Sequence, residues 1–67
     1  MARDRKGQLI TVGAKAKLFR NGHQIAVGPV KRVDHLTTLI TAEDKGPEGA
    51  LISRPHGDVE MVGASAG

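Results

Sequence analysis

Cysteine is absent from this 67-residue chain, as are tryptophan and tyrosine, and Phe19 is the single aromatic. Without cysteine, neither disulfides nor a thiolate zinc site can reinforce the fold. With one ring available, the core has to be built from aliphatic side chains. A row of stacking aromatics, the usual device of single-strand binders, is missing as well. Long apolar runs are also lacking, for nothing approaches the roughly 18 residues of a membrane span. Residues 1–6 are basic, but residues 7–13 hold too few consecutive apolar side chains for the hydrophobic region of a signal peptide. The expectation is a cytoplasmic or virion-associated protein with no membrane partner.

What is present argues for a single small domain. Hydrophobic residues make up 39% of the chain, more than an intrinsically disordered segment carries. A chain this short buries only about 60% of its unfolded surface, so a second copy or a bound partner is the natural supplement to a thin core. Charge is unevenly distributed. Residues 1–34 carry eight cations against two carboxylates, a net +6, and residues 35–67 carry two against five, a net −3. Polarisation of this kind steers a polyanion to one face, or pairs the molecule head to tail with itself.

Three domain segments are expected: a flexible basic arm over residues 1–8, a folded unit over 9–62, and a disordered tail over 63–67 of sequence Gly-Ala-Ser-Ala-Gly. Within the folded unit no helical period is sustained, and Gly- or Pro-containing breaks recur at strand-length spacing. The class is all-β. Extended runs at residues 9–12 and Lys15–Arg20 flank Gly13, and Asn21-Gly22 is a hairpin signal because both residues tolerate the positive φ of a type I′ turn. A long strand over 25–33 follows, with a bend at Gly28-Pro29 that brings Ile25, Val27 and Val30 to one side. Asp34-His35 makes a tight connection to a strand over 36–42. Residues 43–49 form a charged loop, 50–54 a short strand, 55–58 a turn, and 59–62 the last strand. The expected core is Ala16, Leu18, Ile25, Val27, Val30, Val33, Leu36, Ile40, one of Leu51 and Ile52, Val59 and Met61.

Five short strands with a bent second strand suit a small barrel. Two stretches of sequence resemble known families. The run Val12-Gly13-Ala14-Lys15-Ala16-Lys17-Leu18, then Gly28-Pro29-Val30-Lys31-Arg32-Val33-Asp34, and a closing Asp58-Val59-Glu60-Met61-Val62 resemble the Src-homology-three-like small barrels, including KOW and Tudor-like modules. That resemblance implies a five-stranded barrel with a one-turn helix before its last strand. Locally, Lys17-Leu18-Phe19-Arg20-Asn21-Gly22-His23-Gln24-Ile25-Ala26-Val27 resembles the opening hairpin of the AbrB-like swapped-hairpin regulators and antitoxins, and Ala50-Leu51-Ile52-Ser53-Arg54-Pro55 is similar to their closing strand. This second resemblance implies a DNA-binding dimer in which Arg20 and His23 meet the DNA.

Catalytic and metal chemistry find little in the residues. His23, His35 and His56 lie in three separate turns, and none forms a His-x-His or His-x3-His pair. Asp34-His35 and His56-Gly57-Asp58 bring carboxylates near imidazoles, with Ser53 close by, but an acyl-transfer site also needs an oxyanion hole and a pocket. Gly46-Pro47-Glu48-Gly49 lacks the Lys-Ser/Thr of a phosphate loop. The reading is a non-enzymatic protein without cofactor or metal. Lys15, Lys17, Arg20, Lys31 and Arg32 are the candidate nucleic-acid contacts, tracking the phosphate backbone of DNA or RNA, together with the basic arm. Set against this is a solvated face that keeps strand edges soluble. A protein partner, self-association, or an adaptor role such as that of a small phage virion protein are the alternatives.

Overall fold

The structure is a computed structural model and describes residues 2–45 and 49–62. Five strands follow one another as β1 (Lys15–Arg20), β2 (His23–Val33), β3 (Thr37–Ala42), β4 (Ala50–Pro55) and β5 (Val59–Met61), with a single 3-10 turn at His56–Asp58 before the last. They form an antiparallel sheet in the order β4-β3-β2-β1-β5. The all-β expectation and the positions of the five strands therefore hold. The run at residues 9–12 is not a strand, contributing only a bridge between Leu9 and Arg3. Residues 46–48 of the charged loop and the expected tail at 63–67 lie outside the described residues. No helix of the described residues is long and apolar enough to cross a membrane.

The β1–β2 hairpin turns on Asn21 and Gly22, with φ of 52° and 81°. Both values lie in the left-handed region that a two-residue type I′ turn requires. Arg20 pairs with His23 directly across it. From the tip, Leu18 pairs with Ala26 while Phe19 pairs with Gln24, so Ile25 is an extra residue on β2.

β2 then serves two neighbours. It pairs with β1 as far as Pro29 and with β3 from Val30 onward. At the handover Gly28 lies against β3, where a Cβ would stand 1.8 Å from the Thr41 carbonyl oxygen. No side chain fits there. The neighbouring Pro29 lacks an N–H, and the β1 ladder loses nothing by it, because Gly28 and Val30 point their backbone groups toward β1 and Pro29 points away. The Val30 N–H reaches the Ala14 carbonyl at 2.8 Å. A second extra residue, Lys31, follows between the pairs Val30–Ile40 and Arg32–Leu39. This bulge lets Val30 and Val33, three residues apart, both turn toward the core.

The core differs in part from the expected set. Ala16, Leu18, Val30, Ile40, Val59 and Met61 are buried, joined by Ile10, Ala26 and Ala42. On β2 the inward phase is Ala26, Gly28 and Val30. Val27 faces the other way, and Ile25 packs only partly on the core from its bulge. Leu36 is not a core residue. It lies in the bend before β3 and is 70% exposed, while Thr38 takes the inward phase with Ile40. Of Leu51 and Ile52, Ile52 packs on the core and Leu51 is 59% exposed.

Thr38 is fully buried, and its hydroxyl is answered by His56 Nδ1 at 2.8 Å. His56 Nε2 lies 2.9 Å from the Asp34 carbonyl and 3.2 Å from that of His35. Two carbonyls accept only from an N–H, so in the neutral ring Nε2 carries the hydrogen and Nδ1 accepts from Thr38. The imidazole pins the 3-10 turn to the β2–β3 connection.

Two glycine substitutions separate backbone strain from collision. At Gly22 an added Cβ meets nothing within 4 Å, so Gly22→Val suffers only from its positive φ and is expected to cost about 1–2 kcal/mol. Gly28→Ala forces β2 and β3 apart and is expected to cost more, about 2–4 kcal/mol. Chemical denaturation of the two variants against the parent checks the order.

Candidate nucleic-acid interface

Residues 2–10 are not a free arm. Asp4-Arg5-Lys6-Gly7 is a reverse turn closed by the Gly7 N–H on the Asp4 carbonyl at 3.0 Å, the arrangement that Asp at the first position and Gly at the fourth favour. The Asp4 side chain organises it. Its Oδ1 accepts the N–H groups of Lys6 at 2.9 Å and Gln8 at 2.8 Å, and its Oδ2 accepts that of Met61 at 2.8 Å. Asp4 is 6% exposed, and three amide donors replace the water its carboxylate has lost.

The turn docks on the outer edge of β5. The Val62 N–H bonds to Lys15, which sets the phase of the ladder so that Glu60 exchanges its backbone bonds with Lys17 and the groups of Val59 and Met61 point away from β1. Val59 O is taken by the Arg5 N–H at 2.8 Å and the Met61 N–H by Asp4. An edge that would otherwise be open is closed by one backbone group and one side chain.

This docking carries two cations onto the outer face of the β5–β1–β2 region. Alternation on β1 buries Ala16 and Leu18 and turns Lys15, Lys17 and Phe19 outward. The Arg5 guanidinium stands 4.5 Å from the centroid of the Phe19 ring, a cation–π contact worth about 0.5–1 kcal/mol at an exposed site. Lys6 Nζ is 3.6 Å from Glu60 Oε2, and Glu60 pairs with Lys17 in the ladder. Arg5, Lys6, Lys15 and Lys17 thus lie around Phe19, with the carboxylate of Glu60 beside Lys6 and Lys17 and that of Glu43 beside Lys15.

The five candidate contacts do not form one cluster. Lys15 and Lys17 share the outer side of β1, and Lys15 binds Glu43 at 2.7 Å. Arg20 is exposed beside the hairpin tip. Lys31 is exposed on its bulge, two residues beyond Pro29, the residue paired with Lys15. Arg32 is held by Asp34 at 2.9 Å and belongs to the β2–β3 end. Among the described residues Arg20 and Lys31 make no ion pair. Pairs as exposed as Lys15–Glu43 contribute at most about 1 kcal/mol and exchange readily for another anion.

The remaining polar groups have structural positions. Arg54 is half-buried, its Nε donating to the Phe19 carbonyl at 3.1 Å and its guanidinium to Asp58 at 2.6 Å. It ties β4 to the end of β1. The Asp58 carboxylate faces Arg54 and not His56, and Ser53 is exposed on β4, so these groups do not converge as a nucleophile, base and acid. Among the described residues no three His, Asp or Glu side chains are grouped to hold a metal. An open depression of about 540 Å3 between the docked turn and the β2–β3 connection is lined by Ala2, Arg3, Val33, Asp34, His35 and His56. It presents charges of both signs and does not extend the basic face.

Comparison with protein-family models, with curated proteins and with solved structures finds no match for the chain. Sequence reasoning passed over the role of Asp4, although Asp-x-x-Gly was the available signal. Asp4→Ala is expected to cost about 2–3 kcal/mol, since it strands the buried Met61 N–H. Amide hydrogen exchange checks it, with Met61 losing protection ahead of Leu18 and Ile40.

Proposed function

We propose that the chain is a small non-enzymatic binding module that tracks the phosphate backbone of a nucleic acid with the outer face of β5–β1–β2. Lys15 and Lys17 form the centre of the surface. Arg5 and Lys6 flank them from the docked turn, Arg20 stands exposed at the hairpin tip, at the margin of the surface and in the opposite phase of β1 to the two lysines, and Lys31 lies further along β2. The observation that carries the reading is the outward row of β1, two lysines and the only aromatic, with the turn adding an arginine stacked on that aromatic. Phosphate contacts of this kind position the ligand and do not read its sequence. Arg32, engaged by Asp34, is peripheral.

The Src-homology-three-like reading has support from the strand order, from the single β2 shared by both halves, and from the 3-10 turn just before β5. The swapped-hairpin reading has less, because the hairpin of β1 and β2 finds its sheet neighbours, β5 and β3, in its own chain.

Fluorescence anisotropy with mixed-sequence DNA and RNA at about 50 mM and about 200 mM salt tests the proposal. Removing one charge from Lys15, Lys17, Arg20 or Lys31 is expected to weaken binding similarly for all sequences and to lower the salt slope by about one. Lys15→Glu with Lys31→Glu is expected to abolish binding with the fold intact, since exposed charges add little stability. Glu60→Gln removes the one carboxylate beside Lys17 and Lys6 and is expected to tighten it. A parent protein without salt-sensitive binding at the lower salt would exclude nucleic acid and leave the protein-interaction adaptor as the reading.

A further inference from the structure

The two ends of the sheet are finished differently. β5 is closed by the Asp4–Arg5 turn. The His56 N–H bonds to the Leu36 carbonyl, and with Thr37 paired to Pro55 and Thr38 to Arg54 this fixes which β4 groups face β3. Ala50, Ile52 and Arg54 exchange their bonds with β3, and the N–H and C=O of Leu51 and Ser53 point outward. Among the described residues nothing takes them up.

Among the described residues β4 also lacks the usual defences of an edge. Its exposed side chains are Leu51, Ser53 and Pro55, with no charge among them, whereas edge strands that stay single carry lysine, an inward charge or a covering segment. Arg54, its one cation, is folded inward onto Phe19 O and Asp58. On the outer face Leu51 lies opposite Thr41 and Ser53 opposite Leu39, so that side of β3–β4 is uncharged throughout. On the inner side Ile52 is only partly buried against the core.

We infer that the free edge of β4 pairs antiparallel with β4 of a second copy of this chain, around a two-fold axis at Ile52. This register places Leu51 opposite the second copy's Ser53, and the outward groups of both residues make four N–H···O=C bonds. The two Ile52 side chains meet at the axis and complete each other's burial. Pro55, without an N–H, ends the seam. Because the docked turn occupies the other edge, a head-to-tail chain of β4 on β5 is blocked, and the association closes as a two-fold dimer. A second copy is favoured over a charged partner because no charge on β4 faces the seam, so the two-fold brings no like charges together. The seam lies on the opposite end of the sheet from the basic face and stands or falls separately from nucleic-acid binding.

Sedimentation velocity of the full chain over a concentration series tests the inference, with amide exchange of Leu51 and Ser53 recorded alongside. A monomer–dimer equilibrium is expected, with both amides gaining protection as concentration rises. Ser53→Pro removes an outward N–H without touching the β3 ladder, and Leu51→Lys sets a charge beside the seam. Each is expected to weaken self-association by about tenfold or more with an unchanged circular dichroism spectrum, and Leu51→Lys serves if the proline variant does not fold. A parent protein monomeric up to millimolar concentration would overturn the inference. So would a dimer that survives Leu51→Lys unchanged, or Leu51 and Ser53 amides that exchange freely within the dimer.

Discussion

The molecule depends on β2 belonging to two pairings at once, and the crossing is possible only because Gly28 has no side chain. The Thr41 carbonyl occupies the space where its Cβ would be. Everything else hangs from one or other half of that strand. The first half carries β1, and through it β5 and the docked turn. The second half carries β3 and β4. Just before the crossing the Glu43 N–H reaches back to the Val27 carbonyl at 2.9 Å, so the end of β3 is tied to the first half even as the ladder has yet to begin. Among the described residues a core of nine hydrophobic side chains, three of them alanines, provides modest apolar burial for a chain of this length. The backbone approach that small residues permit at Ala26 and Gly28 makes up part of what large side chains do elsewhere.

Those same small residues limit what can be read from the sequence. The strands and the Asn21-Gly22 turn are legible because their signals are local: alternation, β-branched residues and positive φ. The facing of β2 is not. Ile25 and Val27 look like core positions by hydrophobicity, yet the inward phase belongs to Ala26 and Gly28, whose burial follows from a neighbouring backbone and not from their own apolar area. Two extra residues, Ile25 and Lys31, shift the register, and neither is announced by a glycine of its own. Leu36 against Thr38 fails for a related reason, because a buried threonine is tolerable only once His56, eighteen residues away, supplies the partner for its hydroxyl.

The charged surface was legible by composition and misplaced by position. The sequence divides into a basic first half and an acidic second half, but an antiparallel sheet returns the chain on itself. Glu60 comes back beside Lys17, and Glu43 beside Lys15. The excess of positive charge on the β1 side survives this mixing because Asp4, the acidic residue of the first turn, is buried and spent on amide hydrogen bonds, while its neighbours Arg5 and Lys6 stay outside. A carboxylate that orders a turn therefore also decides the sign of the surface next to it.

Asp4 shows in addition how a short chain finishes a sheet. A sixth strand would satisfy the outer edge of β5 with paired backbone groups, at the cost of ordering several more residues at about 1–2 kcal/mol each for backbone alone. One carboxylate accepting the Met61 N–H, and one amide donated to Val59, satisfy the same two groups from a four-residue turn. The device works because β5 is three residues long: of the outward groups of Val59 and Met61, the Val59 N–H already bonds to the His56 carbonyl, and the turn takes the Val59 carbonyl and the Met61 N–H. β4 has six residues and Leu51 and Ser53 both point N–H and C=O outward, with Pro55 adding a further carbonyl, more than a single side chain can cover. Strand length thus separates the edge that the chain can close by itself from the edge that calls for another strand.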